Sequence, residues 1–270
     1  MTDKDLMATL SRYKFYHCIK LTDSISTPGH ESFIPIQKSI LKALNTMNIQ
    51  GRRVLDIGCR DGLFSFECEK RGSSEIIGID NNLSKVAIEF LIPYFNSKVK
   101  MFEMNLYELK PARFGIFDVV IFAGVLYHLR YPFWGLKVIR DILKVGGNLL
   151  LETAIYEDDS NHAMLYCPVG SESPYEPTSC SFFNEKGLKD TLSSLGFEVQ
   201  VLEYVDKIIQ EVDASSLHKK SIKRGVFLAT FVDLQNKIVK NYWDGTHSIH
   251  LEIGGNNKED DIQGYIKKLY

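Results

Sequence analysis

An apolar run that leads into a turn with two glycines is the feature that most constrains this chain. The run covers residues 53–57, and the turn that follows contains Gly58 and Gly62. A second apolar run ends in Asp80, roughly 20 residues further on, the spacing typical of adenosine-binding βαβ units. A strand, a glycine turn into a helix, and a second strand that ends in an acid hold an adenosine-type cofactor at the carboxyl edge of a parallel sheet. We therefore expect backbone contacts from the turn and ribose contacts from Asp80.

The position of Asp56 separates two classes of adenosine cofactor. This residue stands near the end of the first run, before the glycines. A carboxylate there disfavours a pyrophosphate, whereas it suits the positively charged amino-acid end of S-adenosylmethionine. The sequence therefore favours a sulfonium cofactor over NAD.

Strand-like runs alternate with helical patterns, which predicts an α/β fold with a Rossmann-like, doubly wound, mostly parallel sheet. The fold extends over residues 51–235, which we expect to be the cofactor-binding domain. Strands are predicted at 53–57, 75–79, 98–103, 116–122, 147–154, 197–205 and 224–233, and helices at 62–71, 83–95, 132–144 and 184–195.

Three stretches depart from this alternation. Residues 1–50 combine helical patterns with a mixed aromatic segment, and we expect N-terminal helices and a lid segment there. Residues 155–182 are acidic, aromatic and proline-containing, and a loop of this length is expected to be a functional, substrate-side insertion. Residues 236–270 form a polar tail in which a short helix is predicted at 265–269.

Composition limits the partners and the location. The 270 residues carry a formal charge of -2, so there is no global basic field that would attract nucleic acid, although a tRNA partner is not excluded. The five cysteines show neither paired CxxC spacing nor the density of a disulfide scaffold, which favours a reduced, cytoplasmic setting. The sequence has no HExxH motif or carboxylate set at metal spacing, so we expect no metal. No apolar stretch approaches the ~20 residues that a membrane span needs, so we expect no membrane partner. The oligomeric state cannot be read from the sequence.

These motifs make residues 53–233 similar to the class I S-adenosylmethionine-dependent methyltransferases. The resemblance implies S-adenosyl-L-methionine as the cofactor, S-adenosylhomocysteine as the product, and an antiparallel last strand. Arg60 departs from the family pattern, which commonly has a glycine there, so the turn must hold a side chain. The expected cofactor-binding residues are Asp56, Gly58, Cys59, Arg60, Gly62, Asp80, Asn81, Asn105, Leu106 and Gly124.

The loop after the fourth strand supplies candidate catalytic residues. Ligands of open sheets bind beyond the carboxyl ends of the strands, so residues 124–128 should line the pocket near the transferred methyl group. Tyr127 and His128 are the natural site residues in this loop. The His128 imidazole can accept the proton of a substrate hydroxyl near neutral pH. The alternative is a structural histidine that hydrogen-bonds the loop.

The segments 124–132, 182–184 and 223–226 narrow the resemblance to the methyltransferase domain of the tRNA wobble-uridine carboxymethyltransferases and their stand-alone relatives. This likeness implies that Tyr127 and Arg224 help to hold the extra carboxylate of carboxy-S-adenosylmethionine. Those enzymes add a lysine from their N-terminal region. Ordinary S-adenosylmethionine is the first choice of cofactor for this chain, and the carboxylated form is the second.

The lysine of the carboxylate site has two candidate equivalents here, Lys14 and Lys20.

The basic residues at 219–224 are expected either to form a solvated turn or to meet a phosphate. Trp134, in the helix after the fourth strand, is expected to be a core residue.

Further candidates lie on the substrate side. Tyr16 and His17 belong to a segment that resembles one in the stand-alone relatives, and they would face the substrate, with His17 as a further catalytic candidate, if this segment folds over the cofactor mouth. The alternative is that these aromatics only pack a helix onto the sheet. Glu152, at the end of the fifth strand, is expected at the pocket edge, where it would bind a substrate hydroxyl or cap the strand.

We therefore expect a methyltransferase that acts on an oxygen, or less favourably a nitrogen, of a small metabolite such as a sugar or a secondary-metabolite intermediate. One alternative keeps the fold and takes tRNA wobble uridine as the substrate for methylation or carboxymethylation. The other is a catalytically silent module that binds S-adenosylmethionine.

Overall fold

A mixed sheet with helices packed on its two faces forms the frame of the protein. The computed structural model describes residues 2–158, 161–205 and 222–232. The strands are β1 Arg53–Ile57, β2 Glu75–Asp80, β3 Lys100–Glu103, β4 Phe117–Ala123, β5 Leu143–Tyr156, β6 Leu165–Tyr166, β7 Phe182–Phe183, β8 Phe197–Val205 and β9 Ile222–Phe231. The α-helices are α1 Asp3–Leu10, α2 Ile34–Thr46, α3 Leu63–Lys70, α4 Ile92–Phe95, α5 Pro111–Phe114, α6 Pro132–Ile142 and α7 Glu185–Ser194.

The strand order positions the site. The first five strands are parallel and lie in the order β3-β2-β1-β4-β5, so the chain leaves β3 and crosses back to the other side of β1. The carboxyl ends of β1, β2 and β4 meet at one edge, beside the switch in strand order where ligands of such sheets bind. The last strand, β9, runs antiparallel to β5 and pairs with β8 on its other side. The predicted Rossmann-like sheet with an antiparallel last strand is confirmed.

Two hydrophobic cores cover the faces of the sheet. One core contains Leu136 of α6 and Leu188 of α7. The other contains Leu10 of α1, together with Phe66 of α3 and Val54 of β1. Strands covered on both faces read as continuous apolar runs, which explains why the sequence pattern located them so closely. Residues of the N-terminal segment therefore share a core with the sheet, while the domain division at residues 50 and 235 stays a prediction.

Local differences from the predicted elements have physical causes. The helix expected at 83–95 contains a π-helical turn at Ala87–Leu91 just before α4, where Pro93 has no N–H to donate. The loop expected at 155–182 contains regular structure, since β5 continues to Tyr156 and residues of this segment form β6 and β7. The segment expected to form the C-terminal tail and its helix at 265–269 lies outside the described residues.

The expectation of a core position for Trp134 is wrong, because 55% of this residue is exposed. It lies on the outer side of the amphipathic helix α6, whose buried positions include Leu136 and Ile139. Within the described residues no helix combines the length and apolar character that a bilayer crossing requires.

Candidate active site

A cavity of about 850 Å³ opens at the carboxyl ends of β1, β2 and β4. This volume lies within the range of pockets that bind small molecules and cofactors. Residues of the N-terminal segment and of the 175–178 loop form the opposite wall. The predicted site residues that line the cavity are Tyr16, His17, Gly58, Arg60, Asp80, Asn81, Asn105, Leu106, Gly124, Tyr127 and His128.

The glycine turn requires a residue without a side chain at position 58. Gly58 has a φ of +78°, and a Cβ there would lie 2.3 Å from Cγ2 of Val125 in the loop after β4. The backbone N–H of Gly58 donates to the Ile79 carbonyl at 2.8 Å, which ties the turn to the end of β2. Gly58 therefore allows the two loops at the carboxyl edge to approach each other.

Asp80 presents a carboxylate to the same cavity. It is buried, and its Oδ2 accepts the backbone N–H of Arg60 at 3.0 Å while its Oδ1 accepts that of Asn82 at 2.9 Å. A carboxylate has about four lone-pair positions, so these two bonds orient the group and leave acceptor capacity. Asp80 can therefore still receive the hydroxyls of a ribose.

Arg60 directs its side chain towards the mouth of the cavity. Its φ of +45° is the left-handed conformation that suits the glycine of the family pattern. Its guanidinium donates to the Asn82 carbonyl at 3.2 Å and lies 5.3 Å from the centre of the Tyr16 ring. The departure from the family pattern thus adds a cation–π contact between the cofactor loop and the N-terminal segment.

Three of the predicted cofactor residues do not reach the cavity surface. Asp56 is buried beneath the turn and accepts the Ser65 hydroxyl at 2.6 Å, and burial raises its pKa to about 7. Cys59 is buried beside Gly78, and burial raises the pKa of its thiol. Gly62 is the residue that precedes α3. Their direct contact with a cofactor stays a prediction, and in the structure they shape the turn from behind.

Glu152 and Arg224 form a buried ion pair one layer behind the cavity wall, beside Gly124. Nε and Nη2 of Arg224 donate to the two oxygens of Glu152 at 2.7 and 2.6 Å, and Nη1 donates to the Tyr175 hydroxyl at 2.8 Å. The guanidinium also lies 4.8 Å from the centre of the Tyr127 ring. The expected place of Glu152 at the pocket edge is wrong, because this carboxylate is needed to neutralise a guanidinium that is itself buried.

The expectation for the basic residues at 219–224, a solvated turn or a phosphate site, is wrong for Arg224. Only 5% of this residue is exposed, so it belongs to neither a solvated turn nor a surface phosphate site. Residues 219–221 lie outside the described residues. The candidates for the lysine of a carboxylate site, Lys14 and Lys20, are exposed and do not line the cavity, and Lys20 pairs with Asp23 at 2.7 Å.

His128 faces acceptors with both ring nitrogens. Its Nδ1 lies 3.3 Å from the Thr178 carbonyl, and its Nε2 lies 3.3 Å from Oε1 of Glu176. A carbonyl and a carboxylate can only accept, so the neutral ring, which carries a single N–H, satisfies one of these contacts and keeps one basic nitrogen, whereas the imidazolium satisfies both. Burial lowers the pKa of His128, although Glu176 opposes this shift. The arrangement can take up a proton at the basic nitrogen and stabilise the resulting imidazolium.

His17 is a weak base in this structure. It is buried in the cavity wall, and burial lowers its pKa to about 4, so the ring is neutral at physiological pH. A base works best when its pKa lies near the working pH. The Nδ1 atom of His17 has no hydrogen-bond partner among the described residues. The contacts of His17 therefore suit a ring that shapes the cavity wall.

The tyrosines of the wall remain protonated. Burial raises the pKa of Tyr16 to about 12 and raises that of Tyr127 well above its ordinary value. Each hydroxyl can therefore donate a hydrogen bond at neutral pH.

Three residues that matter to this geometry were not predicted as site residues. They are Asp61, which accepts the backbone N–H groups of Tyr16 and His17, and Tyr175 and Glu176, which contact Arg224 and His128. The aromatic and acidic character of the 155–182 insertion was the available signal for the last two. Nothing in the sequence shows that Asp61 meets a segment about 45 residues before it.

The methyltransferase-domain family matches residues 30–202, which is more than half of the chain. The chain belongs to this methyltransferase family. With the sheet order and the cavity, this membership confirms the expected class I S-adenosylmethionine-dependent methyltransferase, with S-adenosylmethionine as the cofactor. The residues present fit that cofactor, since a buried carboxylate and a glycine turn meet at the cavity.

Individual relatives add detail to this family. The tRNA U34 carboxymethyltransferase of Helicobacter pylori (strain G27) is 30% identical over 159 residues, which cover 57% of this chain and 59% of that protein. The enzyme of the same name from Helicobacter acinonychis (strain Sheeba) is 32% identical over 127 residues, or 46% of this chain and 48% of that protein. The chain thus matches only about half of the length of these curated relatives.

A solved structure supports the fold alone. The N-terminal domain of EvdMO1, crystallised in the presence of SAH and D-fucose, has a TM-score of 0.62 and 18% identity, covering 86% of this chain and 98% of that one.

Proposed function

We propose that this methyltransferase transfers a methyl group from S-adenosylmethionine to an oxygen of a small hydroxylated metabolite. The observation that carries the proposal is the meeting, in one cavity, of the cofactor turn with a wall that holds His128 and the tyrosine hydroxyls. The volume of about 850 Å³ suits a cofactor together with a small acceptor.

The cofactor side has a role for each group. Asp80 would hold the ribose, and the apolar side chains of Ile79, Met104 and Leu106 would enclose the adenine. The turn at Gly58 would wrap the methionine part. S-adenosylmethionine supplies a methyl group on a sulfonium centre, and the protein has to align the acceptor oxygen with it and exclude water.

His128 is the proposed general base. The neutral ring keeps one nitrogen without a proton, and this nitrogen would accept the hydroxyl proton of the acceptor. Glu176 then lies 3.3 Å from the newly charged ring and stabilises it. General-base contributions of this kind amount to about 10²–10⁴-fold in rate.

The buried ion pair favours S-adenosylmethionine over its carboxylated form. An extra carboxylate is held most strongly by a cation that has no carboxylate partner of its own, but Glu152 already takes two of the Arg224 nitrogens. Of the described residues that line the cavity, none is a lysine. Arg224 in this chain therefore carries its own carboxylate partner.

The charges of the cavity favour a small acceptor over RNA. Among the described lining residues the arginines are Arg60 and Arg130, and the acids are Asp80 and Glu176. A groove that follows a phosphate backbone needs an excess of positive charge. The balanced lining suits a neutral, hydroxylated molecule better.

The experiment is label transfer from S-adenosylmethionine that carries a tritiated methyl group. The purified chain is incubated either with a dialysed pool of small metabolites or with bulk tRNA, and the label is counted in the small-molecule and acid-precipitable fractions. We expect label in the small-molecule fraction. His128→Ala should lower this transfer by about 10²-fold or more with little change in cofactor affinity, whereas Asp23→Asn, at an exposed position, should leave it unchanged.

A second candidate is modification of the tRNA wobble uridine, which the names of the curated relatives favour. Label in the tRNA fraction would replace the small-metabolite proposal by this one. Tight cofactor binding with no transfer to either fraction, from S-adenosylmethionine or from carboxy-S-adenosylmethionine labelled in the transferred group, would instead support a catalytically silent module.

A further inference from the structure

Asp61 joins the cofactor turn to the N-terminal wall of the cavity. Its side chain is buried, and its Oδ2 accepts the backbone N–H of His17 at 2.9 Å and that of Tyr16. Both of these residues line the cavity. Two backbone donors of one loop are thus satisfied by a carboxylate of another loop, far away in the chain.

The N-terminal loop also has hydrogen bonds and close contacts of its own. The Thr27 hydroxyl donates to the His17 carbonyl at 2.6 Å and accepts the Ile19 N–H at 2.7 Å. Gly29 packs so closely on His17 that a Cβ there would lie 2.3 Å from its backbone carbon. These contacts hold the backbone around His17 in place, residues such as Phe15 and Ile19 pack into the second core, and Asp61 adds the hydrogen bonds that tie Tyr16 and His17 to the cofactor turn.

The cofactor turn also links this segment to Asp80, the acid expected to hold the ribose. Arg60, next to Asp61, donates its backbone N–H to Asp80 and places its guanidinium over the Tyr16 ring. A cofactor that binds Asp80 therefore acts on the same turn that holds Tyr16 and His17. Charge-assisted hydrogen bonds such as those to Asp61 are about twice as strong as neutral ones. Ordering of the cofactor turn can therefore also order the backbone of Tyr16 and His17.

We propose that Asp61 is a positioning residue which couples occupancy of the cofactor site to the order of Tyr16 and His17 in the acceptor wall. This inference rests on the proposed function, since it assumes that S-adenosylmethionine binds beside Asp80. It implies that the cofactor binds first and completes the acceptor site. Coupling of this kind is reciprocal, so the N-terminal wall also strengthens cofactor binding.

The test is amide hydrogen exchange of the peptide that carries Tyr16 and His17, with and without S-adenosylhomocysteine. In the unsubstituted protein the product should slow this exchange by about tenfold or more, within the range of typical coupling free energies. Asp61→Ala removes the acceptor, so exchange should be faster without ligand, and the product should change it by less than about twofold. Asp61→Asn keeps a carbonyl acceptor and should lie between the two.

The matched control is Asp23→Ala, which removes an exposed aspartate of the same segment and should behave like the unsubstituted protein. Exchange in peptides of β1 and β4 shows whether each variant is folded. The proposal is overturned if the product protects the Tyr16 peptide equally in the unsubstituted protein and in both variants at Asp61. If neither the unsubstituted protein nor any variant binds the product by calorimetry, the proposed function fails. If Tyr16 and His17 exchange at the same rate without ligand in the unsubstituted protein and in the variants at Asp61, the role of Asp61 is refuted separately.

Discussion

Asp56 carries the clearest pH signature of a single residue in this protein. Burial raises the pKa of its carboxyl from 3.8 to about 7, with the Ser65 hydroxyl opposing the shift. Between these two values the unfolded chain loses the proton while the folded protein keeps it. The contribution of Asp56 to stability therefore falls as the pH rises from about 4 to about 7, and the loss is complete above that range.

Asp56→Asn should remove this pH dependence. We expect the free energy of unfolding of the variant to be close to that of the unsubstituted protein near pH 4 and to exceed it by up to about 4 kcal/mol at pH 8, from about 1.4 kcal/mol per pKa unit. Urea denaturation at a series of pH values measures the difference. A difference that does not change with pH would show that Asp56 has an ordinary pKa.

Sequence reasoning located the cavity residues whose position follows from the local pattern. Gly58 and Asp80 lie at the ends of strands, and the alternation of strands and helices fixes where strand ends meet. It failed for Glu152 and Arg224, because residue type and strand position do not show that the two pair across β5 and β9. The same applies to Asp61, whose partners are backbone groups and leave no mark on the sequence.

At the scale of the element, the turn between β1 and α3 depends on space as well as on backbone conformation. Gly51 and Gly58 both have positive φ values, +71° and +78°, but only Gly58 has a close neighbour. A Cβ at Gly51 would meet nothing within 4 Å, whereas at Gly58 it would meet Val125. Substitutions at Gly51 and Gly58 therefore distinguish the cost of backbone strain from that of a steric clash.

Gly51→Ala should cost about 1–2 kcal/mol in the free energy of unfolding, the cost of a left-handed conformation with a Cβ. Gly58→Ala should cost more, and it should also weaken S-adenosylhomocysteine binding by about tenfold or more, because the displaced turn lines the cofactor site. Urea denaturation and calorimetry measure the two effects. Adding Val125→Ala to Gly58→Ala should restore part of the stability, and a failure to do so would place the cause elsewhere.

At the scale of the whole molecule, the N-terminal segment is built into the core of the sheet. Leu6 and Leu10 of α1 are buried with residues of β1 and α3, while Met7 on the same helix is 57% exposed. The acceptor wall formed by Tyr16 and His17 follows directly after this helix. The wall is therefore supported on both sides, by α1 and by Asp61.

Leu10→Ala should lower the free energy of unfolding by about 2–5 kcal/mol in one cooperative transition, the cost of a large-to-small core substitution. Met7→Ala should change it by less than about 0.5 kcal/mol, as surface substitutions usually do. Urea denaturation followed by circular dichroism compares the two. If Leu10→Ala leaves the main transition in place, residues 2–30 unfold separately from the sheet.

The pairing of β9 with β5 also has a consequence for biosynthesis. Arg224 follows its partner Glu152 by 72 residues, so the ribosome releases the carboxylate well before the guanidinium that neutralises it. Until β9 arrives, β5 has an unpaired edge and carries an acid that cannot be buried without a counter-ion. A nascent chain that ends before β9 therefore lacks the buried ion pair behind Gly124, and the site is completed only when β9 has been made.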